Sequence, residues 1–154
     1  LPSRWMAAAS ADGRFPVSFG SFTLIPSFAA RFVFGPQTPL MYSNVIGGDI
    51  AGNYIEQQIP FIGVTSAALC RDHLALARLD VRYEVASNHF LSLMGNVAFD
   101  FDGFNATAFA DGRWLWGMGL GYGYNTIVGP LKAQLSWSNI SKKVGIFLSF
   151  GYSF

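Results

Sequence analysis

The sequence predicts an all-β protein, a transmembrane antiparallel β-barrel, and three observations point to this fold. Hydrophobic residues make up 51% of the 154 residues and charged residues only 12%, whereas an ordinary soluble domain carries about 25% charge. No stretch holds the ~20 consecutive apolar residues that a membrane-spanning helix requires, because charges, glycines and prolines interrupt every candidate. Apolar residues instead alternate with small or polar ones, as lipid-facing and lumen-facing side chains do in barrel strands.

Charge and cysteine content exclude other classes of protein. Ten basic and nine acidic residues give a net charge of +1, so no nucleic-acid partner is expected. The single cysteine, Cys70, excludes an internal disulfide. The first residues, LPSRWMAAAS, lack an initiating Met and a sustained apolar core. We therefore expect the chain to begin inside a longer protein or after processing.

Alternation is clearest in the C-terminal segment. From Val144 to Phe154 every even residue is a large apolar or aromatic one, and the odd residues are mostly Gly or Ser. In segment 114–124 large residues alternate with four glycines, which suits lipid on one face and a crowded lumen on the other. The pattern predicts about seven strands, near residues 4–11, 22–34, 74–85, 89–101, 114–124, 129–137 and 144–154.

Segment 74–85 predicts the polar side of the barrel wall. Its odd residues are apolar, whereas its later even residues carry charges of alternating sign, at Arg78, Asp80, Arg82 and Glu84. We expect these four side chains to line the lumen. The alternative at this point is the solvent-exposed face of a soluble β-sandwich.

Connection lengths give the expected orientation, since outer-membrane barrels have short periplasmic turns and longer extracellular loops. With Phe154 on the periplasmic side, turns fall near 14–20, 86–88 and 125–129, and extracellular connections at 36–73, 102–112 and 138–142. Five of these six connections have the expected length, and 138–142 is the short exception. Bacterial single-chain barrels have an even number of strands. Either an eighth strand therefore lies within 36–73, or residues 1–154 are the C-terminal portion of a larger barrel.

Three stretches resemble one family of outer-membrane barrels. The last strand, Gly145-IFLSF-Gly151-YS-Phe154, is similar to the β-signal read by the outer-membrane insertion machinery. WGMGLGYGYNTIVGPLKAQLSWSN (116–139) resembles the penultimate hairpin of the bacterial surface antigen superfamily, which includes barrel insertases and two-partner secretion translocators. IGGDIAGNYIEQQIPFIG (46–63) sits where that family folds a long loop into the lumen. The resemblance implies a barrel of about 16 strands, of which this chain supplies about the last seven.

Within this superfamily, IEQQIPFIG (55–63) most resembles the barrel fused to patatin-like phospholipases of Bacteroidota. Insertases and translocators carry an Arg-Gly pair in this loop, whose arginine docks against the wall, whereas this chain has Ala51-Gly52-Asn53. The resemblance implies a lumen loop that includes Gly52, Tyr54, Gln57, Gln58, Pro60 and Phe61. It also implies a C-terminal insertion signal that includes Gly145, Phe150, Gly151, Tyr152 and Phe154.

No catalytic, cofactor-binding or metal-binding residue is predicted. A patatin needs a Gly-x-Ser-x-Gly nucleophile turn, and that motif does not occur here. Asp100 and Asp102 have a spacing that could bind Ca²⁺, but near a loop we expect them to be solvated, because Ca²⁺ requires six or more oxygen ligands. His73 and Cys70 fall short of the ligand count of a zinc site. We therefore expect this chain by itself not to be an enzyme.

Three hypotheses follow for a protein of the bacterial outer membrane, whose partners are lipid, the insertion machinery and the rest of its own barrel. The first is a module that anchors, or moves or gates, an upstream patatin-like lipase. The second is the barrel of an insertase or secretion translocator, and the third is a stand-alone small structural barrel. In the first, loop 46–63 plugs the lumen, and a charge swap at Arg82 increases protease cutting near Tyr54. Unchanged cutting would contradict that expectation.

Overall fold

The computed structural model describes residues 5–36, 42–48, 58–65 and 67–151. These ranges contain eleven strands and one short helix: β1 (Ala7–Arg14), β2 (Val17–Phe19), β3 (Phe22–Phe34), β4 (Val45–Ile46), β5 (Gln58–Ile59), β6 (Ala68–Leu69), β7 (His73–Ala86), β8 (His89–Phe101), α1 (Ala106–Ala110), β9 (Arg113–Thr126), β10 (Gly129–Ser138) and β11 (Val144–Phe150).

Seven strands form one antiparallel meander in the order β1-β3-β7-β8-β9-β10-β11, and the short β2 pairs with β3. This is the all-β antiparallel sheet that the alternation predicts. The bounds of β3 and β8 agree with the predicted strands, and β7, β9 and β10 run one or two residues further at their ends. Strand β1 begins three residues later than expected, and the end of the last predicted strand, 152–154, lies outside the described residues.

The two faces of the sheet differ as the alternation requires. Large apolar side chains are exposed on the outer face, including Leu93, Met118, Leu120, Leu135, Ile146 and Leu148. The inner face carries small, polar or charged residues, such as the glycines of β9 and the serines of β10. An exposed apolar surface that runs along every long strand is typical of contact with lipid rather than water.

A second, small sheet lies against the inner face. Strand β4 pairs in parallel with β5 and antiparallel with β6. Its surroundings form the main apolar core, in which Ile46, Phe61 and Val64 pack against wall residues Leu74, Leu76, Ala98 and Leu115. The described part of 36–72 thus forms its own sheet and adds no strand to the wall, and His73 already begins β7.

Connections differ in length at the two ends of the sheet. One end has the two-residue turns 87–88 and 127–128, and the other has the connections 35–72, 102–112 and 139–143. The connection 102–112 contains α1, a helix that the sequence pattern did not predict. Within the described ranges, no helix is long and apolar enough to cross a membrane.

Candidate functional site: the inner-face loop and its docking surface

The inner-face loop comprises the described residues between β3 and β7, and its turn 61–64 makes the closest contact with the wall. Phe61 and Ile62 are fully buried. Gly63 has a φ of +84°, and a Cβ at this position would overlap the backbone of Trp137 and Ser138. The Ser138 hydroxyl donates a 2.8 Å hydrogen bond to the Gly63 carbonyl oxygen. Both the backbone conformation and the space therefore require glycine here.

The turn sits in a groove made by Gly117 and Gly119 of β9 and Gly145 of β11, called here the glycine groove. A Cβ on Gly117 would overlap the carbonyl oxygen of Ile62. A Cβ on Gly119 would lie 3.0 Å from Ile62 Cγ2, and one on Gly145 would lie 3.1 Å from Thr65 Cγ2. The missing side chains allow the loop backbone to approach the last strands.

Asn44 joins the two ends of the inner-face loop. Its buried side chain donates from Nδ2 to the carbonyl oxygens of Arg71 and Asp72, at 2.9 Å each. Its Oδ1 accepts a 2.6 Å hydrogen bond from Arg31 Nη1 on β3, and its carbonyl oxygen accepts from the Cys70 amide at 2.8 Å. Both the oxygen and the nitrogen of the Asn44 side-chain amide are therefore hydrogen-bonded. These bonds fix the positions at which the chain leaves β3 and enters β7.

Of the predicted lumen-loop residues, Gln58 and Phe61 are buried on the inner face and Pro60 is half-buried. Gln58 Nε2 donates a 2.7 Å hydrogen bond to the Gly47 carbonyl oxygen, which ties β5 to the end of β4. The remaining predicted residues of this group, Gly52, Tyr54 and Gln57, lie outside the described residues.

The four predicted lumen-facing charges lie on the inner side of β7. Arg78 and Asp80 form a 2.8 Å ion pair that is largely shielded from solvent. Arg82 and Glu84 are exposed near the turn end of the strand, and the Arg82 guanidinium lies 6.0 Å from the centroid of the Phe90 ring. The effect of an Arg82 charge swap on the loop stays a prediction.

A cluster of charges, called here the rim clasp, joins the loop to the long-connection end of the wall. Asp100 is fully buried and accepts from Arg113, with Nε to Oδ1 at 3.1 Å and a second bond from Nη2 to Oδ2. Arg71 lies 3.4 Å from Asp102 and donates from Nη1 to the carbonyl oxygen of Asp111 at 2.7 Å. The expectation that both aspartates are solvated is wrong for Asp100, because Arg113 lies directly opposite it in the β8–β9 register.

Cys70 lies just inside the rim clasp, between the loop and the wall. Burial, and then the negative charge of Asp100, raise the pKa of its thiol to about 12, against the opposing effects of Arg113 and an Ile46 backbone hydrogen bond. Cys70 is therefore a neutral thiol at physiological pH. Among the described residues no group of three or more His, Cys, Asp or Glu side chains could hold a metal ion.

Strand β11 carries the predicted insertion signal. Gly145 faces the inner loop, whereas Phe150 is exposed on the outer face. Gly151 has a φ of +102°, and its amide donates a 3.0 Å hydrogen bond to the Pro130 carbonyl oxygen. Tyr152 and Phe154 lie outside the described residues.

Sequence reasoning missed Asn44, Gly63 and Ser138 as parts of this site. The glycine alternation of β9 did signal a crowded inner face, but it did not identify the turn that fills it. The assembled groups are backbone contacts, neutralised ion pairs and an apolar core. Chemically, such an arrangement holds a chain segment firmly against the inside of a wall.

A comparison with protein families agrees with this geometry. The family model described as the OMP85 superfamily matches residues 10–154, which is nearly the whole chain. No curated protein and no solved structure matches the chain. The chain therefore belongs to the OMP85 superfamily, and its sheet is wall of an outer-membrane barrel of that superfamily.

Proposed function

We propose that this chain is the barrel module that anchors a patatin-like lipase domain, carried upstream on the same polypeptide, at the outer membrane. The chain contributes membrane attachment and a plugged inner face, and the lipase contributes the chemistry. On this proposal none of its own residues is catalytic, and β11 with its terminal residues serves as the insertion signal.

The observation that carries this proposal is the way the inner-face loop is held. Residues 58–63 belong to the stretch 55–63, which resembles the barrel fused to patatin-like phospholipases. They dock through Phe61, Ile62 and Gly63, by apolar burial and by backbone contact with the glycine groove. The arginine that the described part of the loop contains is Arg71, and it binds at the rim rather than in the glycine groove. A loop packed like a protein core opens at high cost, which favours a static plug and therefore an anchor over a translocating pore.

Membership of the OMP85 superfamily supports an alternative, the barrel of an insertase or translocator. Within the described part of the chain, strand β11 has seven residues and pairs with β10 alone. A short terminal strand closes a barrel weakly. On the alternative hypothesis, insertion or secretion takes place at this weak seam.

One experiment separates these functions. The full-length protein is extracted from the membrane, its intact mass is measured, and it is treated with a fluorophosphonate probe that labels activated serines. An anchor predicts a mass far above 16.8 kDa and a labelled serine in an upstream Gly-x-Ser-x-Gly turn. As a control, alanine at that serine abolishes labelling while the barrel still assembles.

Other outcomes reject the anchor. A large mass without labelling, together with repeated small periplasmic domains upstream, supports the insertase or translocator. A mass near 16.8 kDa supports a stand-alone barrel. If a labelled enzyme stays membrane-bound after deletion of 144–154, the barrel is not its anchor.

A further inference from the structure

Aromatic rings cover the outer face of the wall at its long-connection end. Neighbouring ring centroids lie 4.8–6.4 Å apart. The wall residues of this aromatic cluster are Phe32, Phe34, His73, Phe99, Phe101 and Trp114. Rings at strand ends are expected at the membrane interface.

The β8–β9 loop, residues 102–112, folds outward onto this cluster and not into the lumen. The Phe104 ring centroid lies 4.7 Å from that of His73 and 5.4 Å from that of Phe101. The Phe109 ring, in α1, lies 4.7 Å from that of Phe101. Phe101 and His73 are only 4% exposed each as a result. The loop therefore forms a second aromatic layer outside the wall.

The outer surface of this layer is uncharged and carries two large exposed rings. Phe104 is 59% exposed and Phe109 is 46% exposed, and no residue of α1 (Ala106–Ala110) is buried. Residues 103–110 carry no charge, and the acidic residues Asp102 and Asp111 stand at the two ends of the loop. Exposure of two large rings on an uncharged loop is unfavourable in water, and a contiguous apolar patch that continues the wall favours a hydrophobic environment.

We propose that the β8–β9 loop is a membrane anchor that inserts Phe104 and Phe109 among the acyl chains of the lipid leaflet at this end of the barrel. The surface that they present continues through Phe99, whose ring lies 6.1 Å from that of Phe109 and 4.8 Å from that of the exposed wall residue Trp114. Long connections are extracellular in such barrels, so the leaflet is the outer one. This role goes beyond an aromatic belt because these two rings belong to a loop and not to the wall.

The same loop also holds the inner-face loop. Arg71, just before β7, contacts the carbonyl oxygen of Asp111 and the carboxylate of Asp102, at the two ends of the β8–β9 loop. The β8–β9 loop therefore contacts lipid on its outer side and forms part of the rim clasp on its inner side. Insertion of the rings holds both loops at a fixed height in the membrane.

The test uses the full-length protein in phospholipid vesicles, with Cys70→Ala and any other native cysteine replaced. Phe104→Cys carries an environment-sensitive fluorophore, and Asp111→Cys, on the same loop, is the matched control. We expect doxyl-labelled phospholipid to quench the label at position 104 several-fold more than the label at 111. Aqueous iodide should show the reverse order.

Equal quenching of both positions by iodide, with no quenching by doxyl lipid, would overturn the proposal, because the loop would then stand above the membrane. Phe109→Cys gives an independent reading if Phe104→Cys does not assemble, because its ring contacts the other side of the cluster. Lipid quenching at Leu93→Cys, on the outer face of β8, confirms in each preparation that the barrel is inserted.

Discussion

Substitution of Gly117 by alanine should loosen the inner-face loop without disturbing the wall. The added Cβ would overlap the Ile62 carbonyl oxygen, which is backbone and cannot rotate away as a side chain could, whereas the Cβ would lie 3.2 Å from the Trp137 carbonyl oxygen of the wall, a tight contact without overlap. The wall at this point is held by the continuous β8–β9 and β9–β10 ladders. The turn 61–64 is therefore the part that must move.

The size of the effect follows from two opposing contributions. Full burial of an apolar side chain contributes about 1.5–3 kcal/mol, so Phe61 and Ile62 hold the turn with about 3–6 kcal/mol. Overpacking costs about 1–3 kcal/mol, which at most equals the lower end of that range. The loop should therefore stay docked in most molecules, while its undocked fraction rises about 5–150-fold.

Hydrogen–deuterium exchange of the full-length barrel in detergent micelles measures this fraction, because amides of the turn exchange only when it opens. The matched control is Gly123→Ala, on the same face of β9, whose Cβ would meet nothing nearer than Phe90 Cβ at 3.9 Å. We expect faster exchange in residues 58–65 for Gly117→Ala alone. Unchanged exchange, or equal acceleration in both variants, would refute this docking geometry.

Three further predictions concern the rim and the outer cluster. Asp100→Ala removes the buried partner of an arginine and should lower the free energy of unfolding by about 1.5–3 kcal/mol. This loss is measured as a lower temperature at which heating shifts the folded barrel to the unfolded position on a gel. Asp102→Ala, at an exposed pair, should change the free energy of unfolding by less than about 1 kcal/mol. His73→Phe should leave that temperature equal or higher, because it removes a buried Nδ1 that has no partner in the described part of the chain; a clear decrease would count against the cluster packing. Cys70, whose pKa burial raises to about 12, should react slowly with iodoacetamide at a pH of about 8 in the folded barrel and rapidly after denaturation; equal rates would contradict its burial.

The strands were predictable because each separates two different environments. Lipid on one side and an inner loop on the other impose period-two alternation, so the bounds of β3 and β8 could be read directly from the sequence. The prediction was least accurate for β1, where the run Ala7-Ala8-Ala9 provides no contrast between the faces. Helix α1 was missed because five small or apolar residues carry no helical period.

The site was predictable only where its signal is local. Charges on β7 and glycines on β9 indicated the inner face, because each pattern lies within one strand. The contact of Gly63 with Ser138 joins residues far apart in the chain, and no local pattern specifies it. The Asp100–Arg113 pair was partly predictable, because it follows from the register of two neighbouring strands, which places the two residues opposite each other.

The central claim is that this sheet is barrel wall, with lipid on one face and the loop on the other. A spin-label scan of β10 from Leu131 to Ser136, in the full-length protein in lipid vesicles, tests it most directly. We predict high accessibility to oxygen, which concentrates in the bilayer, at Leu131, Ala133 and Leu135, and low accessibility at the three positions between them. Oxygen accessibility without a period of two, or high accessibility to an aqueous nickel complex at Leu135, would contradict the claim.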